Sequence, residues 1–134
     1  MKRISILILG LMILGVSACR KVTNEYYTTP NQTIYDTLNP DRWTTSDGGV
    51  TYSATIPFID TDVYQNDLDG VFAYLMFENN TYDPIPQTYD GFSYSYKVTN
   101  QEIVLRIQNS SGSGTIFPPD TPLKAKIVMV VSEE

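Results

Sequence analysis

Four carboxylates crowd one ten-residue stretch of this chain: Asp60, Asp62, Asp67 and Asp69. Carboxylates so placed suit two kinds of chemistry. Gathered in a loop, they supply oxygen ligands to Ca²⁺, which takes six to eight of them. Paired across a cleft, about 5–9 Å apart, two of them cleave glycosidic bonds. The spacing is not that of an EF-hand loop, and Gly70 falls out of the register such a loop needs. Nothing in the order of residues announces a cleft. The plainer expectation is a solvated inter-strand loop whose Asp side chains cap turns or a short helical start within residues 61–68. Histidine is absent from the whole chain, which excludes Ser-His-Asp and Cys-His nucleophiles and His-ligated zinc or copper. With no catalytic motif either, the expectation is a protein that is not an enzyme and that takes no cofactor.

Aromatic residues form the second candidate set: Trp43, Tyr52, Tyr82, Tyr89, Phe92, Tyr94 and Tyr96. Exposed on a sheet, such rings stack on sugars, as in carbohydrate-binding modules. The period-two spacing of Phe92, Tyr94 and Tyr96 fits core and sheet-face packing better, because each ring buries a large area.

The third candidate is the lone cysteine, Cys19. It follows a positive start, Lys2-Arg3, an apolar run from Ile4 to Val16, and the small residues Ser17 and Ala18. The run is too short for a membrane span, which needs about 20 apolar residues. It has the anatomy of a secretory signal peptide. Aliphatic residue, two small residues, then Cys resembles a bacterial lipoprotein signal. That resemblance implies cleavage between Ala18 and Cys19, a diacylglyceryl lipid on the Cys19 thiol, and an acyl chain such as palmitate on its freed amino group. Each buried CH₂ contributes about 0.8 kcal/mol, and stable anchoring takes more than one chain. The alternative is an ordinary signal peptide with Cys19 an incidental thiol. The expected partners are the membrane, through that lipid, and an envelope protein or glycan.

Cleavage before Cys19 removes 18 of 134 residues and leaves 116, enough for one domain and a tether. Loss of Lys2 and Arg3 takes the net charge from −6 to −8. An acidic surface argues against nucleic acid as a partner, since phosphate binding needs a basic patch. Residues 20–40 are polar and without apolar period, so the tether is expected over 19–40, with Ile34 and Leu38 beginning a strand at its far end, and a domain over 41–134. From Trp43 on, alternation takes over. Val50 to Phe58 reads as a half-buried strand with Pro57 at an edge or bend. Gly70 to Glu78 is a nearly continuous apolar run with both faces expected to be covered. Phe92 to Val98 and Glu102 to Gln108 read as a hairpin, and Leu123 to Val131 as a last strand entering a core. Turn chemistry separates them at Ser46–Gly49, Glu78–Asn80, Asp90-Gly91, Ser110–Gly114 and Pro118–Asp120. About seven strands and no long helical pattern predict an all-β fold: a single β-sandwich, immunoglobulin-like or jelly-roll-like.

Trp43, Gly48-Gly49-Val50-Thr51-Tyr52, Ile56-Pro57, the stretch from Ile59 to Leu75, Ile85-Pro86-Gln87-Thr88-Tyr89 and Lys124 to Val130 together resemble a group of uncharacterised lipoproteins from Bacteroidetes. The likeness covers about residues 35–131. It implies a lipid-anchored β-sandwich of the cell envelope with an interaction or structural role, and it transfers no catalytic residue. Two alternatives are a carbohydrate-binding module assisting glycan capture and a calcium-stabilised adhesion module. Surface-exposed lipoproteins of that phylum often carry an acidic signal after the Cys. Here Arg20-Lys21-Val22-Thr23 follows, which favours the periplasmic face of the outer membrane over the cell surface. Asp36-Thr37-Leu38 matches the Asp-Ser/Thr-aliphatic pattern of O-glycosylation in the same phylum, with an unmodified tether residue as the alternative.

Overall fold

Eight strands carry the alternation into three dimensions: β1 (Gln32–Leu38), β2 (Thr51–Pro57), β3 (Gly70–Glu78), β4 (Thr81–Ile85), β5 (Gln87–Tyr89), β6 (Phe92–Val98), β7 (Glu102–Asn109) and β8 (Leu123–Val130). The structure is a computed structural model, and it describes residues 30–58, 70–99 and 102–132. One four-stranded antiparallel sheet has the order β1-β8-β3-β4, the other β2-β7-β6-β5. They make a single all-β sandwich. The first strand pairs with the last and the second with the seventh. This wrapping is closer to a jelly roll than to the seven-strand order of an immunoglobulin domain.

The core lies between the sheets. From one side come Ile34, Leu38, Ala73, Leu75, Ala125, Ile127 and Met129, and from the other Ala54, Ile56, Ile103, Leu105 and Ile107, all buried. Within each sheet large inward residues neighbour small ones: Ile127 sits opposite Ala73, Leu75 opposite Ala125, and Leu105 opposite Ala54. Tyr96 on β6 reaches across it, and its hydroxyl donates to the Val71 carbonyl on β3 at 2.7 Å. No charged side chain is buried among the described residues.

Two sequence expectations need correction, and a third is filled in. The sandwich takes in Gln32–Leu38, so the domain does not begin at residue 41; Ile34 and Leu38 are core residues and β1 pairs along its length with β8. The polar residues that made this stretch read as tether are explained by its place: β1 is an edge strand, and Thr33, Tyr35 and Thr37 face outward. Second, β3 is covered on one face only. Ala73 and Leu75 point inward, whereas Phe72 on the other face is 53 % exposed. Third, there are eight strands because Thr81–Tyr89 forms two. Pro84 and Pro86 argue against a central strand, and both lie at edges: β4 borders one sheet, the chain turns at Pro86, and β5 borders the other.

The opposite side of the sandwich is closed by Arg42. It sits in the 3₁₀ turn Pro40–Arg42 that links β1 to β2. One guanidinium nitrogen lies 2.8 Å from each Asp36 carboxylate oxygen on β1, and the other donates to the Thr55 carbonyl of β2 at 2.6 Å. Asp36 shares the inward-facing parity of Ile34 and Leu38. An inward charge on an edge strand discourages another chain from pairing there.

Register fixes the two ends. Gln32 lies opposite Met129 and Gly70 opposite Val130 at one end; Leu38 lies opposite Leu123 and Met76 opposite Lys124 at the other. The connections at 39–50, 79–80, 90–91 and 110–122 gather at this second end.

Candidate functional site

A cleft of about 590 Å³ opens at that second end. Its floor is aromatic: the Phe77 ring stacks on Tyr89 at 4.6 Å between centroids and meets Tyr94 edge-on at 4.6 Å. Phe77 comes from the end of β3, and Tyr89 and Tyr94 from β5 and β6, so both sheets build the floor. Such offset and edge-on pairs are preferred geometries for rings and hold them in place.

One wall is the loop between β7 and β8. Ile116 is buried, and its amide donates to the Gly49 carbonyl at 2.8 Å, which pins the loop to the β1–β2 connection. Gly49 has φ +92°, a conformation that side-chain-bearing residues rarely adopt. Pro118 and Pro119 then stiffen the next stretch. Between the pin and the prolines stands Phe117, 90 % exposed. Folding gains nothing from holding a phenyl ring in water on a stiffened loop.

The facing rim is the β5–β6 turn. Asp90 and Gly91 both take positive φ, +48° and +80°, the signature of a type I′ hairpin turn. The turn is fastened by the Ser110 amide, which donates to the Gly91 carbonyl at 2.9 Å. Asp90 and Asp120 both line the cleft, and no Lys or Arg does. Neither carboxylate has a hydrogen bond or ion pair among the described residues. Burial pushes the Tyr94 phenol above its ordinary range, and the Asp90 charge and Tyr89 raise it further. Tyr94 therefore stays protonated at neutral pH. The cleft offers ring faces, hydroxyls and unpaired negative charge.

No protein-family model, curated protein or solved structure matches the chain.

The residues singled out in the sequence divide. Ala18, Cys19 and the cluster Asp60, Asp62, Asp67 and Asp69 lie outside the described residues, and among those described no group of three His, Cys, Asp or Glu could hold a metal ion. Thr37 is exposed on β1, and its neighbour Asp36 is engaged by Arg42. Trp43 and Tyr94 are buried, while Tyr52, Phe92 and Tyr96 are half-buried against the core, so most of the aromatic series serves packing. Tyr89 reaches the cleft. Tyr82 lies on the outer face of the first sheet, its ring centroid 6.0 Å from that of Tyr35. There the Lys126 ammonium sits 4.6 Å from the centre of the Tyr74 ring and 5.6 Å from that of Tyr82. Sequence reasoning missed Phe77, Asp90, Asp120 and Phe117 as site residues. Asp90 and Asp120 stood only as turn residues. A phenylalanine directly before Pro118-Pro119, in a stretch without alternation, was the available signal that a ring would be held outside the core.

Proposed function

We propose that this chain is a lipid-anchored, non-enzymatic interaction module of a bacterial cell envelope, held by Cys19 and binding through the aromatic cleft. The observation that carries the reading is the cleft itself, with Phe117 exposed at its rim and Asp90 and Asp120 unpaired. Concave, ring-lined surfaces with a few polar groups are where folds commonly bind ligands. The anchor rests on the first nineteen residues, Met1 to Cys19. The cleft lies at the Leu38 end of β1, about 20 Å from Gln32 at the usual rise per residue.

The test is the photo-crosslinker p-benzoylphenylalanine placed at position 117, with position 97 on the exposed Lys97 as control. A discrete adduct in intact cells at 117 and none at 97 supports the reading. No adduct at 117, or the same adducts at both, removes it.

A carbohydrate-binding reading is favoured by a different surface. On the outer face of the first sheet Tyr35 is 66 % exposed and Phe72 53 % exposed, beside Tyr74 and Tyr82. Rings on a flat sheet face can stack on sugars. A glycan array that lights up for the wild type and goes dark for Tyr35→Ala and Tyr82→Ala would establish it.

A further inference from the structure

We propose that the cleft receives a lysine or arginine side chain of a partner protein, its charge met by Asp90 and Asp120 and its stem packed on the Tyr89 and Phe117 rings. The inference rests on the cleft being the binding site, and it names the chemistry of the occupant.

Three observations converge. First, the lining holds two carboxylates and no Lys or Arg, and neither carboxylate has an ion-pair partner among the described residues. An anionic ligand is repelled here, and a cation is attracted. Second, the exposed rings of Tyr89 and Phe117 attract a cation through their quadrupoles and accept the aliphatic stem of a long basic side chain. The chain makes the same kind of contact with its own residues elsewhere, at Lys126 over Tyr74 and Tyr82. Third, the net charge of −6 steers cations toward the molecule as a whole.

The occupant belongs to a protein rather than being a small free amine because of Phe117. Its ring is 90 % exposed on the rim. An amine small enough to sit in the cleft leaves that ring in water, whereas a polypeptide that inserts one side chain lays its backbone and neighbouring side chains over it.

The experiment is selection from a displayed library of random dodecapeptides on the immobilised mature domain. Selected sequences should carry Lys or Arg well above the library frequency. A synthetic peptide from the selection should bind the wild type about threefold more tightly than Asp90→Asn or Asp120→Asn, as expected for one exposed ion pair each. Phe117→Ser should weaken binding by a similar factor, and 0.5 M NaCl should weaken the wild type but barely touch the double Asn variant. Asn tolerates the positive φ at position 90, so both Asn variants keep the fold, and equal thermal melts verify this. Selected peptides with no basic excess, or peptides that bind the double Asn variant as tightly as the wild type, overturn the proposal. Binding of cellohexaose or maltohexaose that Phe117→Ser abolishes, with no basic peptide selected, also overturns it while leaving the cleft as a binding site. A blank selection together with a blank crosslink at position 117 removes both readings.

Discussion

Replacing Arg42 with alanine should cost more stability than replacing its ionic partner. The guanidinium serves two strands in two sheets. Toward β1 it makes a pair with Asp36 at 2.8 Å, the side chains 31 % and 25 % exposed; toward β2 it donates to the Thr55 carbonyl at 2.6 Å. An ion pair with this much exposure is screened, so about 0.5–1 kcal/mol is a fair expectation. The charge-assisted hydrogen bond to a carbonyl adds about 1–1.5 kcal/mol after the same discount. Arg42→Ala should therefore lose about 2 kcal/mol, and Asp36→Ala about 1 kcal/mol or less. For a domain of this size that is roughly 10 °C against roughly 5 °C in Tm. Arg42→Lys should recover less than half, because a point charge cannot serve both strands as a planar fork does. Urea denaturation of the two single variants and the double variant gives a coupling energy of about 0.5–1 kcal/mol at low salt, shrinking in 1 M NaCl. The reasoning fails if Asp36→Ala costs as much as Arg42→Ala, or if lysine restores full stability. Either result would mean that the contact with Thr55 contributes nothing and that Arg42 is an ordinary surface ion pair.

Tyr96→Phe removes the hydroxyl that bridges the sheets to the Val71 carbonyl; a loss of about 1–2 kcal/mol with an unchanged urea m-value is expected. Asp47 accepts from the Thr51 amide and the Thr45 hydroxyl, and these bonds, the Thr51 amide first, hold its carboxyl below the ordinary range. A depressed carboxyl stabilises above its unfolded pKa and loses that effect as pH falls through the folded value. Asp47→Asn should thus melt below the wild type at pH 7 and alongside it at pH 2, by differential scanning fluorimetry. Burial pushes Tyr94 and Tyr96 upward. Their contribution to stability is complete below the unfolded phenol pKa near 10 and is lost as pH rises past it, so ultraviolet titration should show two phenols ionising late, and Asp90→Asn should bring Tyr94 earlier. Cys19→Ser should move the protein from the membrane pellet to the soluble fraction; continued sedimentation would refute the lipid anchor.

The strands that sequence made legible are those where one face is core and the other is not. Ala54 and Ile56 alternate with Thr55 and Pro57, and Phe92, Tyr94 and Tyr96 with Ser93 and Ser95, and these segments were readable to within a residue or two. Edge strands were harder. Their backbone is half unpaired and their outward side chains are polar, so β1 reads as a tether, and β4 and β5, with Pro84 and Pro86, are not marked as strands. The site was nearly invisible for a different reason. Phe77 sits in a run apolar on both faces, and only the opposing sheet decides that its ring lies over Tyr89 and Tyr94. Asp90 and Asp120 each have a sufficient local explanation as turn residues, thirty positions apart. Their place in one cleft depends on how the β7–β8 loop folds back against Gly49.

The nine residues Thr81–Tyr89 fence both sheets along one flank. A residue added or deleted within β4 or β5 would slip Ile85 against Ala73 or Tyr89 against Phe92, turning inward side chains outward in that layer. A graft at Ser110–Gly114 disturbs no ladder. The molecule therefore has one flank intolerant of length change and one tip open to it, and that tip borders the cleft, so recognition can be retuned by lengthening a loop while the sandwich keeps its shape.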